Sequence, residues 1–191
     1  ISNYSDIEPD TNKKLNPELE KLDFCHLHTF SQFSILQSTV RINELTQLAN
    51  ELEMPAVCIT DYNNLMGSFH FLKSLENINK KNKSENKKTL KPIIGITLNV
   101  CEDHLDRSRR DDGYQIVFIA KNKKGYKNLS KLSSLAYTKG FYYVPRVDKN
   151  LVLNFKEDLI VLTGNTYGEV SSKLPVSYTH LTLPTISDGG G

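Results

Sequence analysis

His26 and His28 stand one residue apart inside a short apolar run, and in an extended strand that spacing puts both imidazoles on one face. Two imidazoles at a strand end can begin a metal seat. A catalytic zinc takes three protein ligands plus water and a structural one takes four, so the pair falls short of a site without partners from elsewhere. A second group, Thr60-Asp61-Tyr62-Asn63-Asn64, follows the apolar run Ala56 to Ile59. Asp61 there is either a catalytic carboxylate or a turn residue that bonds nearby backbone, and with no second carboxylate beside it the turn role is expected. Cys101, Asp103, His104 and Asp106 also lie close in sequence and could ligate a metal. They sit among Arg107, Arg109, Arg110, Asp111 and Asp112, however, and such alternating charge more simply describes a solvated connection.

Other reactive types read more plainly. Lys80, Lys81, Lys83, Lys87, Lys88 and Lys91 form a basic stretch able to touch phosphate, but no aromatic is interleaved to stack a base, so an exposed, solvated loop is the simpler reading. His70, between Phe69 and Phe71 on a helix, suggests packing. Cys25, Cys58 and Cys101 are an odd count at wide spacing with no secretory leader before them, which disfavours a disulfide framework and fits a reducing cytoplasm. Cys25 and Cys58 lie in apolar runs, where a free thiol behaves as a small hydrophobe.

The elements that position these groups follow from composition and periodicity. The chain has 191 residues, 38% hydrophobic and 24% charged, which suits one soluble globular domain rather than two or a disordered tail. No apolar run is long enough to span a bilayer, and a net charge of +2 is too mild for a strong nucleic-acid field unless cations cluster. From Leu22 onward, short apolar runs alternate with helical periods, as in successive β-α units with parallel strands. Strands are expected at 22–28, 56–60, 92–100, 114–120 and 159–164. Helical faces are expected from Ile42, Leu45, Ala49 and Leu52, from Leu65, Phe69, Leu72 and Leu75, and from Tyr126, Leu129, Leu132 and Leu135.

The two ends differ from this middle. Residues 1–21 are polar and acidic, and with Asp23 the first 23 residues hold six acids against three lysines; they read as a solvated linker from an upstream region. The chain begins with Ile1, which suggests a start inside a longer reading frame. Residues 176–191 have no helical period and end in three glycines, and Val176 to Leu181 resemble the translation of a sequencing-library adapter. That tail, with His180, is set aside.

Read in order, the intervening motifs resemble those of the polymerase and histidinol phosphatase (PHP) domain at the front of bacterial DNA polymerase III alpha subunits. They are His26-Leu27-His28, Gln32 to Leu36, Met54-Pro55-Ala56, Thr60-Asp61, Asn64 to Gly67, Lys91 to Gly95, Ala120-Lys121-Asn122, Gly125-Tyr126, Asn128-Leu129, Ala136-Tyr137 and Gly140 to Tyr143 with Pro145 to Asp148. The resemblance runs from about Leu22 to Leu174, and the Gly140 to Asp148 phrase is similar to the polymerase branch. It implies an α/β fold, a distorted (β/α)7 TIM-like barrel with metal ligands at the carboxyl ends of its strands, here incomplete on the C-terminal side, with residues 22–175 as the partial PHP domain.

The same resemblance implies where ligands should stand. The family pattern His-Leu-His-x-His-Thr-x-x-Ser-Leu-Leu-Asp-Gly lays onto His26 to Ser38 without a gap, leaving His28 on the first ligand position, Phe30 where a histidine is expected and Gln37 where a carboxylate is expected. An alternative register makes His26 and His28 the ligand pair. Tyr62 replaces a histidine, Thr97 a glutamate, Gln115 a histidine and Asn165 a cysteine. A phenol with a pKa near 10 stays protonated at neutral pH, and amides and hydroxyls cannot neutralise clustered divalent cations. The resemblance therefore implies a catalytically silent PHP site. The rival is a free-standing PHP phosphoesterase using metal-activated water. By the same resemblance, the parent would be a DNA-directed DNA polymerase (nucleotidyltransferase) using Mg²⁺ held by carboxylates outside this stretch. Its expected partners are DNA, deoxynucleotides and other replication holoenzyme subunits, among them a proofreading exonuclease and the sliding clamp. The expected location is the bacterial cytoplasm, with no membrane contact.

Overall fold

A computed structural model describes residues 23–173; the expected linker at 1–21 and the tail at 176–191 lie outside the described residues. Ala56, Val57, Cys58 and Ile59 are all buried and form β1 (Ala56–Ile59), a strand covered on both faces. The longest strand, β2 (Lys91–Cys101), organises the sheet. Its start pairs parallel with β1, Cys58 opposite Ile93, and its middle pairs antiparallel with β3 (Tyr114–Ala120), Thr97 opposite Val117. Its end pairs parallel with β4 (Arg146–Asp148), Asn99 opposite Arg146, and β5 (Leu159–Leu162) adds antiparallel to β3. Because β3 takes one edge of β2 from Gly95 to Val100, β4 and the continuation of β1, where Tyr62 bridges Thr97, share the other edge.

Five helices complete the described residues: α1 (Ile42–Glu51), α2 (Ser68–Ser84), α3 (Lys123–Thr138), α4 (Lys149–Asn154) and α5 (Glu169–Lys173). The Asn122 side chain accepts from the Lys124 and Gly125 amides and so starts α3, while Asp148 accepts from the Leu151 amide and starts α4. Side chains alternate along β2, and the even positions Ile96, Leu98 and Val100 pack with Phe118, Leu129, Leu132 and Ala136 against α3. Ile94, on the same face, joins Val57, Ile59, Ile42, Phe71 and Leu75 beneath α1 and α2. The odd positions point to the opposite face, where Ile93 meets Cys58, Val117 and Ile119. Helices α1 to α4 therefore contribute to the cores on one face only.

This corrects several expectations. Residues 23–28 of the expected first strand form no ladder; the segment runs beside β1, with the Thr60 amide donating to the Thr29 carbonyl. The sheet is open and mixed, not a run of parallel strands, because the 102–113 connection between β2 and β3 carries no helix and returns the chain antiparallel. A barrel incomplete on its C-terminal side was expected, and the described residues form no closed barrel. The buried stripe of α2 is Ser68, Phe71, Leu75 and Asn82, so Phe69 and Leu72 face outward: the helix begins at Ser68, and its buried face is set by packing on α1 and β2. Strand β4 has only one apolar residue, Val147, and gave no apolar run to read.

Candidate functional site

Strand β1 delivers Thr60 and Asp61 to the carboxyl end of the sheet, next to the segment that carries the histidines. His28 Nδ1 lies 3.0 Å from Thr60 Oγ1, which also accepts from the Thr29 amide. The Phe30 ring meets the His28 ring edge-on at 4.9 Å between centroids. Partial burial lowers the His28 pKa by disfavouring the charged imidazolium. His26 instead packs edge-on against Phe24, and both histidines line a largely apolar groove of about 630 Å³ along α1, with Val40, Leu45 and Leu48. Neither histidine belongs to a cluster of three or more metal-ligating groups among the described residues.

Asp61 is buried and fully engaged. It accepts from the Ser31 amide, the Ser31 hydroxyl and the Ser34 hydroxyl, each at 2.7 Å. Ser34 Oγ in turn accepts from the Tyr62 amide, and Ser31 Oγ accepts from the Phe33 amide, so the carboxylate fastens the 31–34 turn to the end of β1. Asp61 was expected to bond the backbone of its own turn; instead its carboxylate holds a turn thirty residues upstream, which the chain brings alongside the end of β1. Gly67 is required beside it: a Cβ there would stand 2.9 Å from Asp61 Oδ2 and 3.1 Å from the Phe33 ring.

The positions at which the sequence lacks ligands are mostly gathered. The β register puts Tyr62, Thr97, Asn99 and Gln115 on the sheet face away from the helices. Thr97 Oγ1 donates to the Thr60 carbonyl, and Tyr62 Oη donates to Asn99 Oδ1 at 3.0 Å. Asn99 also reaches the Pro145 carbonyl. Phe30 completes the cluster, its ring 6.5 Å from that of Tyr62. Gln37 is exposed and lies outside it, and Asn165 closes the turn after β5 by accepting from the Tyr167 amide. The donors in the cluster are thus one imidazole, a phenol, a hydroxyl and two amides, and those of Tyr62, Thr97 and Asn99 are bonded to one another or to backbone. They do not fit a divalent-cation cluster, which takes carboxylates, thiolates or several imidazoles.

One group among the described residues does bring metal-type ligands together: Asp103, His104 and Asp148, with one ligand atom from each within 4.8 Å of the others. The Cys101, Asp103, His104, Asp106 set, for which a solvated connection was the expected reading, is not assembled as a ligand group. Cys101 Sγ donates to the Val147 carbonyl, and Asp106 accepts from the Ser108 amide. Nor is the 102–113 connection merely solvated. His104 Nδ1 lies 2.5 Å from Asp148 Oδ2, and Arg146, fully buried, donates to the carbonyls of Gly140, Asp111 and Asp106, with His104 O at 3.4 Å and the Tyr142 ring 5.4 Å away. Sequence reasoning passed over Arg146 and Asp148. The available signal was their alternation about Val147, which puts both on one face of a strand.

Burial pushes the Asp148 carboxyl up, but the Leu151 amide and His104 outweigh it and hold the group below the usual carboxylate range. A depressed folded pKa means stability that is present above the unfolded value of about 3.9 and lost as pH falls through the folded value. The melting-temperature difference between the native chain and Asp148→Asn is expected to hold from about pH 7 to about pH 5 and to shrink below about pH 4.

The thiols are unreactive by position: burial pushes Cys58 up to about 12 and Cys101 up to about 11, while Cys25, half-buried, is also raised by burial. Cys58 and Cys101 are buried; Cys25 is more exposed than its apolar run suggested. His70 stacks on Phe33 at the surface, 5.7 Å between centroids. Lys80, Lys81 and Lys83 lie on α2, not on a loop as expected.

A family model described as PHP domain matches residues 25–180, the last five of which fall in the segment set aside as a tail. Curated relatives are DNA polymerase III alpha subunits. That of Aquifex aeolicus is 41% identical over 151 residues, covering 74% of this chain and 12% of the relative. That of Borreliella burgdorferi is 36% identical over 141 residues, covering 72% and 11%, and that of Helicobacter pylori strain 26695 is 33% identical over 156 residues, covering 81% and 12%. The matched region thus spans about an eighth of those relatives' length. A solved structure from Bifidobacterium adolescentis aligns with a TM-score of 0.35 and 16% identity, over 59% of this chain and 32% of that one.

Proposed function

This chain belongs to the PHP domain family, and from that premise we propose that it is the PHP module of a replicative DNA polymerase of the polymerase III alpha kind, with a metal site that no longer holds metal. The carrying observation is the cluster at the carboxyl end of β1 and β2. Four of the six positions at which the resemblance implies ligands, Phe30, Tyr62, Thr97 and Gln115, gather there; Phe30 packs against His28, and Tyr62 and Thr97 bond to protein groups, which supports the reading of a silent site. Such a module positions and stabilises the polymerase instead of hydrolysing phosphate esters. On this reading residues 22–175 are the PHP part, 1–21 a linker and 176–191 a foreign tail. The helices on a single face of the sheet support a β/α barrel closed by strands beyond the described residues, since a barrel carries its helices outside.

DNA synthesis, with Mg²⁺ bound elsewhere, deoxynucleotide substrates and other replication subunits as partners, is proposed for the parent polypeptide from its relatives. No helix among the described residues is long and apolar enough to cross a membrane. The test uses the full-length polypeptide that carries this chain. It is expected to extend a primed template with Mg²⁺ and to show no phosphoesterase turnover above a His28→Ala variant. Phosphoesterase turnover abolished by His28→Ala would overturn the silent-site reading, and failure to extend a primer would overturn the polymerase reading.

A further inference from the structure

Residues 73–91 carry seven lysines against two glutamates, while the other 172 residues carry 17 cations against 20 acids, so the positive charge of this chain is concentrated in one place. Three of the lysines pair with those glutamates: Lys80 with Glu76, and Lys81 and Lys87 with Glu85. Glu53, two residues past the end of α1, also faces Lys87. Among the described residues no ion pair engages Lys73, Lys83, Lys88 or Lys91. On α2, Lys73 and Lys80 are seven residues apart and share a stripe opposite the buried Phe71, Leu75 and Asn82, with Lys83 on its flank.

The turn that continues this ridge is held in shape. Asn79 donates to the Leu90 carbonyl and accepts from the Leu90 amide at 2.9 and 2.8 Å. Buried Asn82 donates to the Lys88 carbonyl at 2.7 Å and to Asn50 of α1 at 2.6 Å, and its own carbonyl accepts from the Lys87 amide. The side chains of Lys87 and Lys88 are thereby presented from a fixed backbone next to the α2 lysines. Neutralising the α2 dipole explains Lys81 and Lys83 but not the rest.

We propose that this ridge contacts the phosphate backbone of a nucleic acid duplex through Lys73, Lys83, Lys88 and Lys91. Lysine is a point charge suited to phosphate, and with no aromatic on the ridge there is nothing to stack a base, so the contact is independent of sequence. The choice of nucleic acid over an acidic protein rests on the polymerase reading above.

The experiment measures binding of the full-length polypeptide to a fluorescein-labelled, mixed-sequence duplex of about 20 base pairs between about 50 and about 200 mM NaCl. It compares the native protein, the variant Lys73→Gln/Lys83→Gln/Lys88→Gln/Lys91→Gln, and a control of equal charge, Lys121→Gln/Lys127→Gln/Lys139→Gln/Lys156→Gln, each checked for an unchanged melting temperature. The first variant is expected to flatten the plot of log K against log salt by about 2 to 4, near 0.9 per lost phosphate contact, and to do so by at least about 2 more than the control. Equal slopes in native and variant, or equal flattening in the control, would overturn the proposal. Primer extension by the native protein is scored separately: its absence sinks the polymerase reading, whereas extension with an unaltered salt slope sinks the ridge alone.

Discussion

Arg146→Ala should open the 102–113 connection and destabilise the end of the sheet by about 3–5 kcal/mol, because several buried carbonyls lose their donor at once and each stranded acceptor costs roughly 1–3 kcal/mol. Arg146 has the largest fully buried side chain among the described residues, and its carbonyl partners come from two places: Gly140 before β4, and Asp106 and Asp111 in the connection. Arg146→Lys should recover only part of the loss, since one ammonium cannot reach oxygens spread around a planar fork. Hydrogen exchange followed by mass spectrometry on the full-length polypeptide provides the check. Peptides spanning 102–113 should exchange faster in both variants, by more in Arg146→Ala, while those of α1 and α2 stay protected. Unchanged exchange in 102–113 would show that the connection is held by something other than Arg146.

Asp61→Ala is expected to release the 31–34 turn and to cost a similar amount, about 3–5 kcal/mol, the usual cost of removing one partner from a buried charged network, because three donors lose their acceptor at once. Asp61→Asn should be milder. The remaining oxygen can still accept from the Ser31 amide, but the new amide group would face Ser31 Oγ, which already accepts from the Phe33 amide. The two variants should therefore rank Ala below Asn in melting temperature. Exchange of the Ser31, Ser34 and Tyr62 amides should rise with the same ranking. A metal-ligand role for Asp61 would give a different result: equal stability in apo protein and loss of bound metal instead.

How far the sequence revealed this molecule depended on whether a residue's neighbours were local. Helix α1 and the strands β1, β2 and β3 were legible from periodicity and from unbroken apolar runs such as Ala56 to Ile59. The face of α2 was not, because Phe69 and Phe71 are equally apolar and only packing on α1 selects Phe71. The segment around His26 and His28 reads as a strand, but it lacks the ladder bonds that define one. Arg146 was invisible as a buried group, since the carbonyls that receive it are six to forty residues away. At the candidate site, the side-chain types at Phe30, Tyr62 and Thr97 could be read from the sequence, whereas the bonds that Tyr62, Thr97 and Asp61 make needed the fold.

The account stands on the claim that the cluster around His28, Phe30, Tyr62 and Thr97 has too few electron-pair donors for divalent metal. Elemental analysis of the full-length polypeptide, purified without chelator and dialysed against excess Zn²⁺ and Mn²⁺, measures this directly. The expected result is no loss of bound Zn or Mn when His28 is changed to Ala. One or more equivalents of metal per chain that disappear in His28→Ala would contradict it.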